Sequence, residues 1–381
     1  MFKRILITYT LLVFTLLNVS VAYAEDSDGP DTSTSAPEGS SSALSSTGSE
    51  MFGAGGTNAG GGMLQADEFT GAATYSFPIP VPPSRGGIEP QLVLNYNSFR
   101  RNPNSWVGYG WDLELGMIER LPGDDNTISF GSSDGFQARF AGQTESLVYV
   151  EDSSDPASDY GVSLGSGCDD GVEHVKEYRA KVEGAYNIYL RFICNQEVDG
   201  EITDSYEITF DVGWIGIDKG GRYYYFGQSD SSRIQGSGDA PNVGAWLLDS
   251  VVDPNENELT ITYDENHYLE EVAYQDITIE FHLEDKSTVF PQFKQMFLEI
   301  ENVEWRLDQI EIKQDGSRLQ LYDFEFQNTD VNRFQLLERI TPYGETEYEY
   351  LPSIDFEYNE EVQEGDNLWL TSEKNWSANK N

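Results

Sequence analysis

The sequence predicts an all-β protein, a large antiparallel sheet of hairpins, and three observations carry that expectation. From about Asp67 to Glu360, runs of Tyr, Phe, Val and Ile are punctuated by Gly, Asn and Asp. No long 3.6-residue apolar period occurs outside residues 1–24. Asp315-Gly316 sits between two strand-like runs, Trp305 to Phe326, and is a strong two-residue hairpin signal. The roughly 290 residues of this region suffice for one large β-domain or two fused sheets.

The chain begins with Lys3 and Arg4, an apolar run Ile5 to Val21, and Ala22-Tyr23-Ala24, the layout of a cleavable export signal over residues 1–24. The expected mature chain is secreted, with the periplasm as the other compartment a signal peptide can reach. Losing Lys3 and Arg4 moves the formal net charge from −43 to −45. Such a surface repels nucleic acid and anionic membranes. It suits solubility in salty water, where charges are screened beyond about 8 Å, and a cationic ligand is the other reading. Residues 25–66 are rich in Ser, Thr, Gly and acids and contain Gly53 to Gly62, so a flexible linker is expected there. The β-domain is then residues 67–360, followed by a tail at 361–381.

The most informative stretch is Gly71 to Arg120. A strand, Tyr75 to Ile79, runs into the proline block Pro78, Pro80, Pro82 and Pro83, then the turn Ser84-Arg85-Gly86-Gly87. A second strand, Leu92 to Tyr96, leads to the corner Gly108-Tyr109-Gly110-Trp111 and a third strand ending at Arg120. This order resembles the start of the SpvB-type N-terminal domain, found in the Salmonella virulence plasmid B protein and in B subunits of insecticidal toxin complexes. The resemblance implies a curved, cocoon-like shell of strands that encloses a toxic C-terminal polypeptide and docks on a translocation pore. It implies a scaffold and not an enzyme, no cofactor, and other toxin-complex or Rhs-type shell subunits as partners. Some relatives of this kind also occur in host or bacterial cytoplasm.

Further along, Gly131-Ser132-Ser133-Asp134-Gly135 fits G-x-S-x-G, but Phe136 to Phe140 alternates as a strand, so a hairpin turn is expected in place of a nucleophile elbow. Cys168 and Cys194 flank a long hairpin, Val172 to Ile193, in an exported chain, and a bridge between them is expected. It would close a loop worth on the order of 3 kcal/mol. A second hairpin, Tyr206 to Gly227, turns at Asp218-Lys219-Gly220-Gly221. Its run Arg222-Tyr223-Tyr224-Tyr225-Phe226, with Trp214, reads as cross-strand core pairs or as a sugar-stacking platform.

Val251 to Val272, VVDPNENELTITYDENHYLEEV, resembles one YD (Rhs-type) repeat with Tyr263-Asp264 as its signature pair. It departs from that pattern at Glu256, where glycine is usual. Asp253, Asn255 and Asn257 have the spacing of a calcium loop, but Glu258 and Asp264 stand where an EF-hand has Gly and Glu, so a β-turn is expected. In the Trp305 hairpin, Ile310 and Ile312 share a face, as do Leu319 and Leu321, whereas Phe324 and Phe326 have the opposite parity. A bulge near Tyr322-Asp323 is therefore expected. The later pieces RLDQIEI, LLERITPYG and LPSIDFEY resemble the closing strands of the SpvB-type domain.

Little in the chain points to catalysis. The histidines His174, His267 and His282 are scattered, and no zinc spacing occurs. Ser33-Thr34-Ser35 and Glu345-Thr346-Glu347 echo elements of the transferase half of the Salmonella protein, without a domain to hold them. The leading expectation is a secreted, non-enzymatic β-scaffold of a toxin-complex or Rhs-like protein that leaves a strand edge open for a partner. The alternative is a stand-alone exported binding module, an adhesin or glycan binder.

Overall fold

In the computed structural model the described residues are 5–6, 63–66, 72–100, 105–121, 135–140, 143–150, 156–164, 172–182, 184–195, 208–235, 243–286, 292–296, 299–328, 335–346 and 348–358. They are nearly all strands, as expected. One five-residue helix occurs among them, Pro156–Tyr160.

The central strand is Val243–Val252, buried along almost its whole length. Its sequence, VGAWLLDSVV, is a near-continuous small or apolar run because neighbours cover both its faces and both its edges. On one edge it pairs with Gly116–Arg120 and then with Glu258–Tyr263. On the other it pairs with Arg233–Gln235 and then with Tyr223–Phe226. The strands Gly116–Arg120, Phe136–Phe140, Gln143–Tyr149, Val172–Ala180, Ile188–Asn195, Ile208–Ile217 and Tyr223–Phe226 each pair antiparallel with the next. Val243–Val252 joins the first of them to the last, and the eight strands close into a barrel. Closure removes the free edges that an open sheet of this size would present.

An eight-stranded barrel is just wide enough to be filled by its own side chains. Here aromatic rings fill it. Phe136 packs edge-on to Trp214 at 4.9 Å and to Tyr178 at 5.5 Å, and Trp214 to Trp246 at 5.7 Å. The fully buried Arg191 holds its guanidinium 4.8 Å from the Phe136 ring centre, a cation–π contact. Outside the barrel, Leu190, Phe192, Val212, Ile215 and Ile217 form a second cluster, covered by Tyr160, Val162 and Leu164.

From Val243–Val252 the sheet also continues as an open arm: Glu258–Tyr263, Leu269–Tyr274, Ile277–Asp285, Trp305–Gln314, Ser317–Asn328, Gln335–Tyr343 and Ile354–Asp355. A separate four-stranded sheet, Met63–Ala66, Ala73–Ile79, Leu92–Asn97 and Trp111–Asp112, lies across one face of this arm. Tyr75, Phe77, Leu92, Leu94 and Tyr96 from the small sheet share a core with Val272, Ile279, Ile310, Ile312, Phe324 and Ile340 from the arm. The result is a barrel fused to a β-sandwich through one shared strand.

Several expectations need adjusting. Met63–Ala66, placed in the linker at 25–66, forms the outer strand of the small sheet and pairs Met63 with Ser76 and Ala66 with Ala73. Its composition carries no β-branched residue, so only the pairing partner reveals it. Ile5–Leu6, inside the expected signal segment, pairs with Glu357–Tyr358. The bulge expected near Tyr322-Asp323 lies earlier, where Ile312 pairs with Gln320 and Lys313 with Arg318, leaving Leu319 over. Leu319 thereby turns into the shared core beside Tyr322 and Phe324. The remainder of the 1–24 and 25–66 segments and the 361–381 tail lie outside the described residues.

Candidate functional site

The motif residues gather where the small sheet meets the arm. Pro78 pairs with Val93 and lies beyond the end of the neighbouring strand, whose last partner is Ser76, so its missing N–H breaks no ladder bond on that side. Pro80 and Pro83 are exposed, while Pro82 accepts a hydrogen bond at its carbonyl from Tyr274 Oη at 2.7 Å. The proline block thus runs extended along the arm, pinned by a buried tyrosine.

The Gly108-Tyr109-Gly110-Trp111 corner grips the far end of the arm. Trp111 is fully buried against Tyr75, Tyr96 and Phe356, with the Phe356 ring 4.9 Å away. Its indole N–H donates to Tyr358 Oη at 2.9 Å, which donates in turn to the Leu337 carbonyl at 2.7 Å. The Tyr109 amide donates to the Gln335 carbonyl, and the Leu307 amide to that of Trp106. Gly110 has φ +84°, and a Cβ there would stand 2.7 Å from the Tyr96 ring, so no other residue fits. At Gly108 a Cβ would press on Leu337 and Phe326. Burial raises the Tyr96 and Tyr358 phenols well above their usual range.

The Ser84-Arg85-Gly86-Gly87 turn closes the opposite corner. Ser84 Oγ accepts from the Ile88 and Glu89 amides and donates to the Glu89 carboxylate at 2.6 Å. Burial pushes the Glu89 carboxyl up, but these hydrogen bonds outweigh it and hold it low. Gly86, at φ +77°, lies directly on Asp253, and a Cβ would be 2.0 Å from its Oδ2. Arg222 Nη2 donates to the Gly86 carbonyl at 3.0 Å.

Asp253 belongs to a pattern that sequence reasoning missed. Three five-residue hairpin turns, Asp218–Arg222, Asp253–Asn257 and Asp264–Tyr268, share one geometry. In each, the first amide donates to the fifth carbonyl and the fourth amide to the first carbonyl. In each, the opening Asp carboxylate accepts from the fifth amide, at 3.0, 2.9 and 2.8 Å. The fourth residue has positive φ in all three: Gly221 at 77°, Glu256 at 63° and His267 at 64°. This is the three-residue hairpin loop with a left-handed residue. An Asp followed five residues later by a strand was the available signal. It also explains the calcium-like spacing: Asp253 is occupied by the Asn255 and Asn257 amides and Asn257 Nδ2, which hold its carboxyl below the usual range, the Asn257 side chain contributing most.

The signature pair Tyr263-Asp264 is structural. Tyr263 Oη donates to the Leu248 carbonyl at 2.8 Å, and Asp264 caps its turn. Tyr224, Phe226 and Trp214 point into the barrel, while Tyr223 and Tyr225 pack against the outer cluster, so the aromatic run is packing. Cys194 is disulfide-bonded, and no cysteine is free among the described residues. Cys168 lies outside the described residues, as do residues 131–134 of the G-x-S-x-G segment; the strand after it pairs back on Gly116–Arg120. Glu345 and Thr346 lie in a turn, and Glu347 and Ser33-Thr34-Ser35 lie outside the described residues. The histidines do not converge. His267 Nδ1 is 2.7 Å from the Ser231 carbonyl, and His282 lies between Glu280 and Glu311. Those three could span a metal ion, but Lys313 Nζ already bridges the two carboxylates at 2.6 and 3.1 Å and Arg318 takes Glu311 as well.

Two features face outward. The arm ends at Ile354–Asp355, which pairs with Arg339 and Ile340 and has no further strand partner among the described residues. Beside it, Tyr348 is 93% exposed, with Tyr350 and Leu351 also exposed. No helix among the described residues is long and apolar enough to cross a membrane.

Comparison with known proteins adds the following. The family model described as "Salmonella virulence plasmid 65kDa B protein" matches residues 67–300. The solved TcdB2-TccC3 structure is similar at a TM-score of 0.62 and 16% identity, covering 77% of this chain and 16% of that one. A Photorhabdus luminescens Tc holotoxin pore is similar at 0.59 and 16% identity, covering 78% of this chain and 16% of that one. The N-terminal domain of effector protein SpvB from Salmonella typhimurium strain LT2 is similar at 0.50 and 15% identity, covering 70% of this chain and 98% of that one. At these identities the likeness is one of fold, and the chain spans about a sixth of the toxin-complex chains it matches. No curated protein matches the sequence.

Proposed function

The chain belongs to the family of the Salmonella virulence plasmid 65kDa B protein, and from that premise we propose that it is an exported, non-enzymatic β-scaffold. It helps build a shell around a toxic passenger, together with other toxin-complex or Rhs-type shell subunits. The observation that carries this reading is the likeness in fold of most of this chain to a small part of a much larger toxin-complex chain. A section of a shell needs the rest of the shell, and the arm's end at Ile354–Asp355, which has no further strand partner among the described residues, offers backbone groups to continue it. Motif residues that serve as packing and turn geometry, not as reacting groups, fit a scaffold. The signal segment at 1–24 is the basis for export.

The test is co-expression with a YD-repeat shell protein of the same genome that carries its passenger. The expected result is a passenger resistant to added protease only when both proteins are present. A passenger equally sensitive with and without this chain would refute the reading. A stand-alone binding module draws support from one feature, the exposed Tyr348, Tyr350 and Leu351. Retention on glycan or cell-surface arrays, lost on replacing the two tyrosines, would favour it.

A further inference from the structure

The small sheet passes directly into the barrel through Leu113–Leu115, between Trp111–Asp112 and Gly116–Arg120. This connection carries a carboxylate that is poorly served. Glu114 Oε1 is shielded from solvent and accepts no hydrogen bond. The nearest cation, Arg139 on the Phe136–Phe140 strand, has Nη1 3.9 Å from Glu114 Oε2, beyond hydrogen-bonding reach. Its Nη2 is already given to Glu119 Oε2 at 2.7 Å.

Among the described residues, the charged and titratable neighbours come from four strands and one turn. Asp112 precedes Glu114 at the end of the small sheet and is paired with Arg100, from the turn after Leu92–Asn97, at 3.0 Å. Glu119 follows on the first barrel strand. The Tyr263 phenol approaches from Glu258–Tyr263, near enough for Glu114 to oppose its ionisation. Among the described residues three carboxylates therefore share two guanidinium groups, and Glu114 Oε1 is the buried oxygen left without a hydrogen bond. Its surplus charge sits where the small sheet, the barrel and the arm meet.

We propose that Glu114 is a proton-uptake switch at this junction: mild acidification protonates its carboxyl, removes the surplus negative charge and stabilises the fold where the small sheet passes into the barrel. Burial is the main cause that raises this carboxyl to about 7. Arg139 opposes the rise, Asp112 and Glu119 add to it, and Arg100 opposes it. The folded-state value lies above the ordinary 4.5, so the folded chain binds the proton more tightly than the unfolded chain. Stability is gained as pH falls from about 7 towards 4.5 and is lost as pH rises through 7. The carboxyls held low, Glu89, Asp253, Asp276 and Glu311, act below that window and in the opposite sense.

The experiment compares thermal unfolding of the wild-type chain and Glu114→Gln at about pH 5.5 and about pH 8. Gln keeps the shape and mimics the neutral carboxyl. The wild-type chain is expected to melt several degrees lower at the higher pH. Glu114→Gln is expected to lose most of that difference and to melt above wild type at the higher pH. Contributions from groups distant from Glu114 are common to both chains and cancel. An undiminished pH difference in Glu114→Gln overturns the proposal. If the variant does not fold, a carbon-13 carboxyl NMR titration of wild-type Glu114 decides: a midpoint near 7 supports it, and an ordinary carboxylate midpoint overturns it.

Discussion

The barrel and the sandwich both hide an apolar sheet face, but they recruit their cover differently. The barrel curls until its own strands supply the filling, Phe136, Tyr178, Trp214 and Trp246. The sandwich brings together segments far apart in the chain: Tyr75, Phe77 and Trp111 against Tyr322, Phe356 and Tyr358. Pro78 to Trp111, Tyr263 and Asp264 all belong to the sandwich and none to a barrel strand. What makes this family legible is thus the fastening of the cover. The barrel keeps only the general demand for apolar residues at alternating positions, which many sequences satisfy.

That contrast yields graded expectations. Trp111→Ala removes an indole packed on three rings and a buried hydrogen bond, a change of the class that costs about 3–5 kcal/mol. Hydrogen exchange should show lost protection in Ala73–Asn97 and Gln335–Tyr343 before the barrel strands. Equal loss throughout would merge the two regions into one cooperative unit. Gly86→Ala places a methyl on the Asp253 carboxylate at a left-handed backbone position and is expected to cost about 1–3 kcal/mol. Adding Asp253→Ala should recover the steric part, as a double-mutant cycle would show.

Smaller effects follow. Glu256→Gly relieves a side chain from φ +63° and is expected to raise the free energy of unfolding, read from urea titration, by about 0.5–1 kcal/mol. The same change at Glu265, one turn away and not left-handed, should not. On the arm, Lys313 joins Glu280 and Glu311 in a partly exposed ion-pair ladder. Lys313→Met there is expected to cost no more than about 1 kcal/mol, an effect that shrinks in high salt.

Local chemistry was readable in the sequence. Asp315 and Gly316 both take positive φ, 49° and 75°, as a two-residue hairpin requires. The hairpins around Asp218 and between Val172 and Ile193 also form. Closure of the barrel was not readable. It depends on Tyr223–Phe226 and Gly116–Arg120 meeting opposite edges of Val243–Val252, and pairing between distant segments leaves no periodic trace. Parity reasoning called for a bulge in the Ser317–Asn328 strand but misplaced it. Leu321 and Tyr322 are both buried, so alternation alone cannot say where the register slips. Glu256 was noted as a departure from glycine. The structure shows why glycine suits that position, and that the Asp253 cap holds the turn without it.

The scaffold reading is tested most directly by the mass of the chain in solution, by light scattering, alone and mixed with a YD-repeat shell protein of the same genome. A stoichiometric complex in which the Ile354–Asp355 edge gains hydrogen-exchange protection is the predicted result. A monomer that stays unchanged in the mixture would contradict it.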